Sequence, residues 1–371
     1  MQVSVAAVES DQDLKAFIRL PLQLYRHDPF YVPHLLYERK KFFSPTNPIF
    51  DFTDASLFLA RDDRGRVLGR VTAHVNRRHN AHAGEDTGFF GFFESVDDAA
   101  VASALMAAVE DDLRARGMQV VRGPFNFSTN EECGLLVRGF DRRPSLMMPY
   151  NKAYYPGFFE GLGYSRCRDL LAYGYEYGGD MPDFLPRFSR RIRERQQIEV
   201  RCIDMRRFEE DLGTIFDIYN TAWSKNWGFI PVTEAEFRYA ARELKPIADP
   251  AMVLIAEKDG RPVAFSVSLP DYNVVLKKMN GRLLPFGFLH AVFGRRGIKK
   301  VRTLLLGVVE DYRHSGIEVL LIHDTFRNGL ARGYRTGEMS WVLKDNLLMR
   351  KPLERMGARI EKVYRIYEKI L

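Results

Sequence analysis

The stretch Leu306-Gly-Val-Val-Glu-Asp-Tyr-Arg-His-Ser-Gly-Ile-Glu-Val-Leu320 holds the strongest chemical signal in the chain. An apolar strand runs into an Arg-x-x-Gly turn that opens directly on a long amphipathic helix. Such a junction aims unbonded backbone N–H groups and the positive end of the helix dipole at one point. That suits the cradling of a pyrophosphate, with Arg313 supplying charge and Gly316 allowing close backbone approach. An ordinary strand-to-helix turn has the same two residues, since an arginine and a glycine three apart are common. Glu310, at the end of the strand, could take a proton from an incoming amine, directly or through water. It would serve equally as a carboxylate at a helix N-terminus. Glu338 and Ser340 alternate with Trp341 on the next apolar run, so one of these sets faces the cleft. In the first half, Gly123-Pro-Phe-Asn-Phe-Ser-Thr-Asn-Glu-Glu-Cys-Gly134 crowds polar side chains, Asn126 and Glu131 among them, into one loop. It is either part of an acceptor pocket or a connector that satisfies its own backbone. Cys133 reads as a small packed residue, because no histidine lies near it to make a nucleophile.

Other chemistries lack their residues. There is no GxGxxG after a strand, no Walker A loop, no HExxH and no GxSxG elbow. His79 and His82 have a spacing that two metal ligands could use. They lack a cysteine or carboxylate framework and read as solvated histidines of a polar loop, so no metal is expected.

The elements that must hold these residues occur twice. Leu57–Ala60, a turn with Gly65, and Val67–Val71 form one β-hairpin. Met252–Ala256, a turn with Gly260, and Pro262–Ser266 form another. After the first come a strand (88–93), an alanine-rich helix (99–116) stopped by Gly117, a strand (118–121) and a short helix ending at Gly163. After the second come a strand (301–309), a helix (316–332) stopped by Gly333, a strand (337–343), a helix ending at Gly357 and a terminal strand (360–370). Apolar residues recur at helical spacing in both long helices, and glycine ends each with little strain. Helices over about 11–26 and 208–224 open the two copies. The joint lies near 178–183, where Gly, Pro and charges cluster. The arginines after it, from Arg187 to Arg195, read as one solvated helix face.

Leu306–Leu320 resembles motif A of the GNAT superfamily of N-acetyltransferases, in which a strand leads into Arg/Gln-x-x-Gly-x-Gly/Ala before a helix. Asn346, Met349, Pro352, Leu353, Gly357 and Ala358 keep the spacing of the superfamily's later Asn-x-x-Ala-x-x-Leu-Tyr-x-x-x-Gly-Phe segment. The resemblance covers 208–371 well, and 1–178 by architecture and by Asn151, Phe158 and Gly163-Tyr164. It implies an α/β protein with a mixed sheet, built from two tandem GNAT-like acyl-CoA N-acyltransferase domains. These would be 1–178, lacking the pyrophosphate motif, and 179–371, holding the acyl-CoA site. It further implies that Leu306, Val308 and Val309 hold pantetheine through their backbone, and that Arg313, His314, Ser315, Gly316 and Ile317 hold the pyrophosphate. Asn346 would orient CoA or cap the helix that follows. An amine would attack the thioester directly, with strand N–H groups stabilising the oxyanion. Glu310 and Asn346 are the catalytic candidates. Asn126, Glu131, Glu338 and Trp341 are the acceptor candidates. Two positions depart from the pattern: Glu318 stands where Gly or Ala is usual, and Leu353 where many relatives carry the tyrosine that protonates the thiolate. In the first copy Glu94-Ser-Val-Asp-Asp98 replaces the turn, and its acids would repel a pyrophosphate.

The whole composition fits this reading. With 371 residues, 46% hydrophobic and 28% charged, the chain is an ordinary globular protein of about two domains. Three cysteines form no disulfide framework, and the N-terminus has no signal-peptide pattern, so a reduced cytoplasmic compartment is expected. The net charge of +7 suits nucleic acid, anionic lipid or a phosphorylated cofactor alike. No nucleic-acid module accompanies the arginines, so nucleic acid is not expected. Residues 277–300 combine Lys277, Lys278, Arg282, Arg295, Arg296, Lys299 and Lys300 with leucines and aromatics. That segment suits peripheral contact with the inner membrane or cover for a long acyl chain. It suits a helical flap over the domain junction as well. The reading is an acyl-CoA-dependent N-acyltransferase with acetyl-CoA or another acyl-CoA as co-substrate and a small-molecule or lipid amine acceptor. With a long-chain donor and a sphingoid amine it would resemble the bacterial ceramide-forming acyltransferases of the same superfamily. The alternative is a catalytically degenerate GNAT pair that binds CoA or a protein partner.

Overall fold

The computed structural model describes residues 2–176, 181–224, 226–283 and 287–371. Of the expected joint, 178–180 lie outside the described residues. The chain forms two α/β units. The first gathers Met1–Leu170, Asn273–Arg295 and Lys362–Leu371, and the second Leu171–Tyr272 and Arg296–Glu361.

In chain order the first elements are β1 (Val3–Ala7), α1 (Asp11–Leu24), α2 (Leu36–Phe42), β2 (Thr53–Asp62), β3 (Val67–Asn76) and α3 (Arg77–Ala83). Next come β4 (Thr87–Ser95), α4 (Ala99–Ala115), β5 (Val120–Gly123), β6 (Leu135–Arg138), α5 (Tyr155–Gly161) and β7 (Ser165–Glu176). The β2–β3 turn closes because the Asp62 carboxylate accepts from the backbone N–H groups of Arg64 and Arg66, at 3.0 and 2.8 Å. Gly65 takes the left-handed conformation there, at φ 75°. The helix α4 starts on the Asp98 carboxylate, which accepts from Ala100 N–H at 2.8 Å. Its Val101, Leu105, Met106, Val109 and Leu113 pack on Val71, Ala73 and Val75 of β3. The opposite face of the sheet is covered by phenylalanines, among them Phe17, Phe92 and Phe127.

His79 departs from its expected place in a polar loop. It sits on the short helix α3, is buried, and meets the ring of Phe89 edge-on at 4.8 Å, while His82 is exposed. Apolar residues flanking the short helix pull one of its faces inward, which the polar composition of the segment concealed.

The remaining elements are α6 (Phe184–Gln196), β8 (Ile198–Cys202), α7 (Phe208–Trp223), α8 (Glu234–Leu244), β9 (Val253–Lys258), β10 (Arg261–Pro270), α9 (Asn273–Met279) and α10 (Gly287–Phe293). After them come β11 (Lys300–Val308), α11 (Ile317–Ala331), β12 (Thr336–Leu343), α12 (Leu347–Arg355) and β13 (Arg359–Ile370). On α6, Arg187, Arg190, Arg191 and Arg195 are solvent-exposed as expected. Arg193 instead turns inward to the buried Asp324.

Strand order repeats. In the first unit it is β1-β2-β3-β4-β5, and in the second β8-β9-β10-β11-β12. Each series is antiparallel until its last pair, β4–β5 or β11–β12, which is parallel and is bridged by the long helix α4 or α11. The first unit's sheet continues with the C-terminal strand: Tyr367–Ile370 of β13 pair with Val120–Gly123 of β5, and Val363–Arg365 with β6. The segment 273–295 also belongs to the first unit. There Asn273 donates to the Pro144 carbonyl at 2.9 Å, and Lys277 Nζ donates to the Tyr31 carbonyl at 2.9 Å. Leu283, Leu289 and Phe293 remain exposed, Phe293 at 70%.

Candidate functional site

In the second unit the parallel strands β11 and β12 pair only from Lys300↔Thr336 to Thr303↔Met339, although β11 runs on to Val308 and β12 to Leu343. A bulge marks the parting point. Val267 of β10 faces Leu305 and Ser268 faces Thr303, so Leu304 is the extra residue. Val309 N–H donates to the Val263 carbonyl at 3.0 Å. By the alternation of an antiparallel ladder, the backbone groups of Leu306 and Val308 then point away from β10, along the edge that β12 has left. The site is a slot with a row of unbonded amides on one wall. Val309 differs from the role the resemblance implies. Its N–H goes to Val263, and its carbonyl accepts from Tyr312 N–H at 3.0 Å.

At the mouth of the slot lies the turn Arg313–Gly316. His314 and Gly316 both have positive φ, 68° and 88°. Gly316 is the N-cap of α11 and no side chain caps that helix; Val319 N–H bonds the Gly316 carbonyl at 3.0 Å, which leaves the N–H groups of Ile317 and Glu318 at the helix start. The positive φ of Gly316 favours glycine, and a Cβ there would stand 2.8 Å from Ile192 Cδ1, a side-chain end that would have to shift. Ser315 Oγ donates to the Tyr312 carbonyl at 2.6 Å, and Ile317 is buried in the core. Arg313 is not paired with Glu318. Its Nη2 donates to the Ala222 carbonyl at the end of α7, at 2.6 Å. Glu310 is exposed on a single 3₁₀ turn just beyond β11.

The other candidates fall into two places. Asn346 is the N-cap of α12, its Oδ1 accepting from Met349 N–H at 3.2 Å. Glu338 is buried beside the root of the slot. It accepts from Lys300 Nζ at 2.9 Å and from Ser340 Oγ at 2.9 Å. Burial works against the Lys300 ammonium, but the Glu338 carboxylate outweighs it and keeps that amine above its ordinary range. Arg302, also buried, donates to Ser340 Oγ at 2.9 Å and lies 5.1 Å from the Trp341 ring. Asn126 and Glu131 belong to the first unit. There Asn126 Oδ1 accepts from Phe92 N–H at 2.9 Å, and its amide donates to Glu132 at 3.0 Å.

Sequence reasoning missed three groups. Leu353, in the usual tyrosine position, is buried. A phenol does reach the same helix, because Tyr173 donates to Glu354 at 2.6 Å and accepts from Arg350 at 3.0 Å. Burial and that carboxylate raise the Tyr173 phenol, so it keeps its proton at neutral pH. Arg39, His34 and Glu132 form the second group, with Arg39–Glu132 at 3.2 Å. Ser189, His323 and Asp324 form the third and have the residue types of a nucleophilic triad. Ser189 Oγ and Asp324 Oδ1 both meet the same ring nitrogen, Nδ1, at 3.2 and 2.9 Å, so no proton relay runs through the ring. Only long-range pairing brings these groups together, and no local spacing announces them. Among the described residues no cluster of three or more His, Cys, Asp or Glu could hold a metal ion.

The repeated strand order, the parted parallel strands and the uncapped helix after them define a tandem GNAT fold. A tandem GNAT protein from the clavulanic acid biosynthesis pathway superposes over 100% of this chain and 98% of its own, with a TM-score of 0.59 at 12% identity. A GCN5-related N-acetyltransferase from Sphaerobacter thermophilus does so over 99% and 95%, with a TM-score of 0.56 at 14% identity. No protein-family model matches the chain. In sequence it is 38% identical to protein YghO of Escherichia coli over 96% of this chain and 93% of that one. It is 37% identical to the bacterial ceramide synthase of Caulobacter vibrioides over 100% of this chain and 98% of that one. The chain therefore has the tandem GNAT fold and belongs to the family of these two proteins.

Proposed function

We propose that the protein is an acyl-CoA-dependent N-acyltransferase whose donor lies in the second unit and whose acceptor is a lipid amine. The observation that supports this most is the slot itself, where β11 leaves β12 and presents the amides of Leu306 and Val308 beside an uncapped helix start. In this reading those amides bind pantetheine, and Arg313, His314, Ser315, Gly316 and Ile317 hold the pyrophosphate. The amine nitrogen attacks the thioester carbonyl. A C–N bond forms, the C–S bond breaks, and N–H groups of β11 stabilise the oxyanion between. Glu310 takes the amine proton through water, and Asn346 fixes the helix start that borders the slot. Glu338 and Trp341, on β12 beside the slot, contribute to acceptor recognition. CoA leaves as a thiolate and regains a proton.

The relative named bacterial ceramide synthase supports a long-chain donor and a sphingoid-type amine, since ceramide is the amide of those two parts. The exposed Leu283, Leu289 and Phe293, set among Lys278, Arg282 and Arg295, support peripheral contact with an anionic bilayer through 277–300. No helix among the described residues is long and apolar enough to cross a membrane.

Thermal unfolding with free CoA, acetyl-CoA and palmitoyl-CoA tests the donor site. A ligand at about 100 times its dissociation constant stabilises the native state by roughly 2.7 kcal/mol. We expect that gain in the wild type and its loss in Arg313→Glu and His314→Glu, which place a carboxylate in the turn. No shift with any CoA would reject the donor reading.

A further inference from the structure

We propose that Trp223 is a specificity-determining residue that sets which acyl group the slot admits, and that Arg313 holds it in position. The inference rests on the donor reading above. Trp223 is the last residue of α7. Its indole stacks on Tyr219 at 4.8 Å and leans on Phe265 at 5.7 Å. It reaches the strand at Gly307, where an added Cβ would stand 2.5 Å from Trp223 Cζ3 and 2.9 Å from Phe265 Cε1. Gly307 lies between Leu306 and Val308, in the half of β11 that β12 has left. The missing side chain at 307 is therefore what lets the indole descend onto the slot strand. Leu305 and Val267 pack into the same cluster, so the wall on this face is aromatic and aliphatic. Such a wall receives a hydrocarbon chain and rejects a polar one.

The position of the indole is tied to the pyrophosphate turn. Arg313 donates to the carbonyl of Ala222, one residue before Trp223, at the C-terminal end of α7. Helix C-termini leave carbonyls unbonded and favour a cation, so this contact stabilises the last turn that carries the indole. A diphosphate in the turn draws on the same guanidinium. Donor binding then weakens the tie to Ala222, and the indole gains room to move off Gly307 and admit the acyl chain.

The test is affinity for free CoA, acetyl-CoA and palmitoyl-CoA, the last below its micelle-forming concentration. Wild type is compared with Trp223→Ala, Trp223→Phe, Gly307→Ala and the Gly307→Ala/Trp223→Ala double variant. Trp223→Ala is expected to change the palmitoyl-to-acetyl affinity ratio by about tenfold or more, the scale on which a hydrophobic pocket discriminates chain size, with free CoA altered by no more than about twofold. Gly307→Ala should weaken both acyl-CoAs, and the double variant should recover them. Trp223→Phe keeps an aromatic wall and should move the ratio by about threefold. It is the variant to read if Trp223→Ala does not fold. Indole fluorescence should shift when CoA binds the wild type, and that shift should shrink in Trp223→Phe, which keeps Trp227 and Trp341. An unchanged ratio in a folded variant that binds free CoA overturns the role of Trp223 alone. Wild type that binds no CoA overturns the donor reading and this inference with it.

Discussion

The two units repeat one strand order, yet they treat the gap between their parallel strands in opposite ways. In the second unit the gap stays open, and the helix beyond it begins on Gly316 with no side-chain cap. In the first, the chain fills its own gap. Phe125 N–H donates to the Phe90 carbonyl at 2.8 Å, and the side chain of Asn126 takes the Phe92 N–H that a ligand would otherwise bond. Glu132 and Arg39 brace that asparagine. The helix beyond begins on the Asp98 carboxylate, which accepts from the Ala100 N–H and repels an anion. The strand ends differ in the same sense. Glu310 is exposed, whereas Glu94 is buried, bonded to Tyr25 and Tyr155 at 2.7 and 2.8 Å, and raised above the usual carboxyl range by that burial. One fold thus yields a receptive cleft or a closed structural unit, according to whether a loop of the chain supplies the missing partners.

The largest expected effect probes the closed gap. A Cβ on Gly91 would stand 1.8 Å from the Phe125 carbonyl oxygen, a backbone atom with no room to yield. Gly91→Ala should cost about 4 kcal/mol, in the range reserved for severe core disruption, read from the urea midpoint. Gly307→Ala in the open unit meets only side chains, the rings of Trp223 and Phe265, and should cost less than half of that.

An intermediate effect is pH-dependent and belongs to the first unit. His74 is fully buried between Phe89 and Phe127, neither ring nitrogen has a hydrogen-bond partner, and burial pushes the imidazole down to about 3. The unfolded chain binds a proton near pH 6.5, which the folded chain refuses until about pH 3. Stability is therefore unaffected above pH 6.5 and falls as pH drops through that window, by at most about 1.4 kcal/mol per pH unit. His74→Phe should flatten this part of the curve, and equal slopes in both proteins would reject it. The smallest effect is Asp98→Ala, which should cost about 1 kcal/mol for the lost cap and leave the CoA response intact.

Much of this division was legible in the sequence because it rests on local signals. Acids before one helix and Arg-x-x-Gly before the other are adjacent residues whose effect on a helix start needs no tertiary contact. The hairpins, the glycine stops and the repeat follow from the same short-range rules. The burial of His79 was not legible, because a short polar helix hides which face its neighbours will cover. Neither was the commitment of Val309 to Val263, which depends on the ladder register, nor the contact of Arg313 with Ala222, whose partners lie far apart along the chain. Neighbouring residues suffice for the repeated α/β order and for which copy carries an Arg-x-x-Gly turn before its long helix, since turn chemistry and helix caps act over a few residues. That Asn126 fills one gap and Trp223 borders the other follows from packing, because filling a gap depends on which distant side chains the packed sheet brings to its edge.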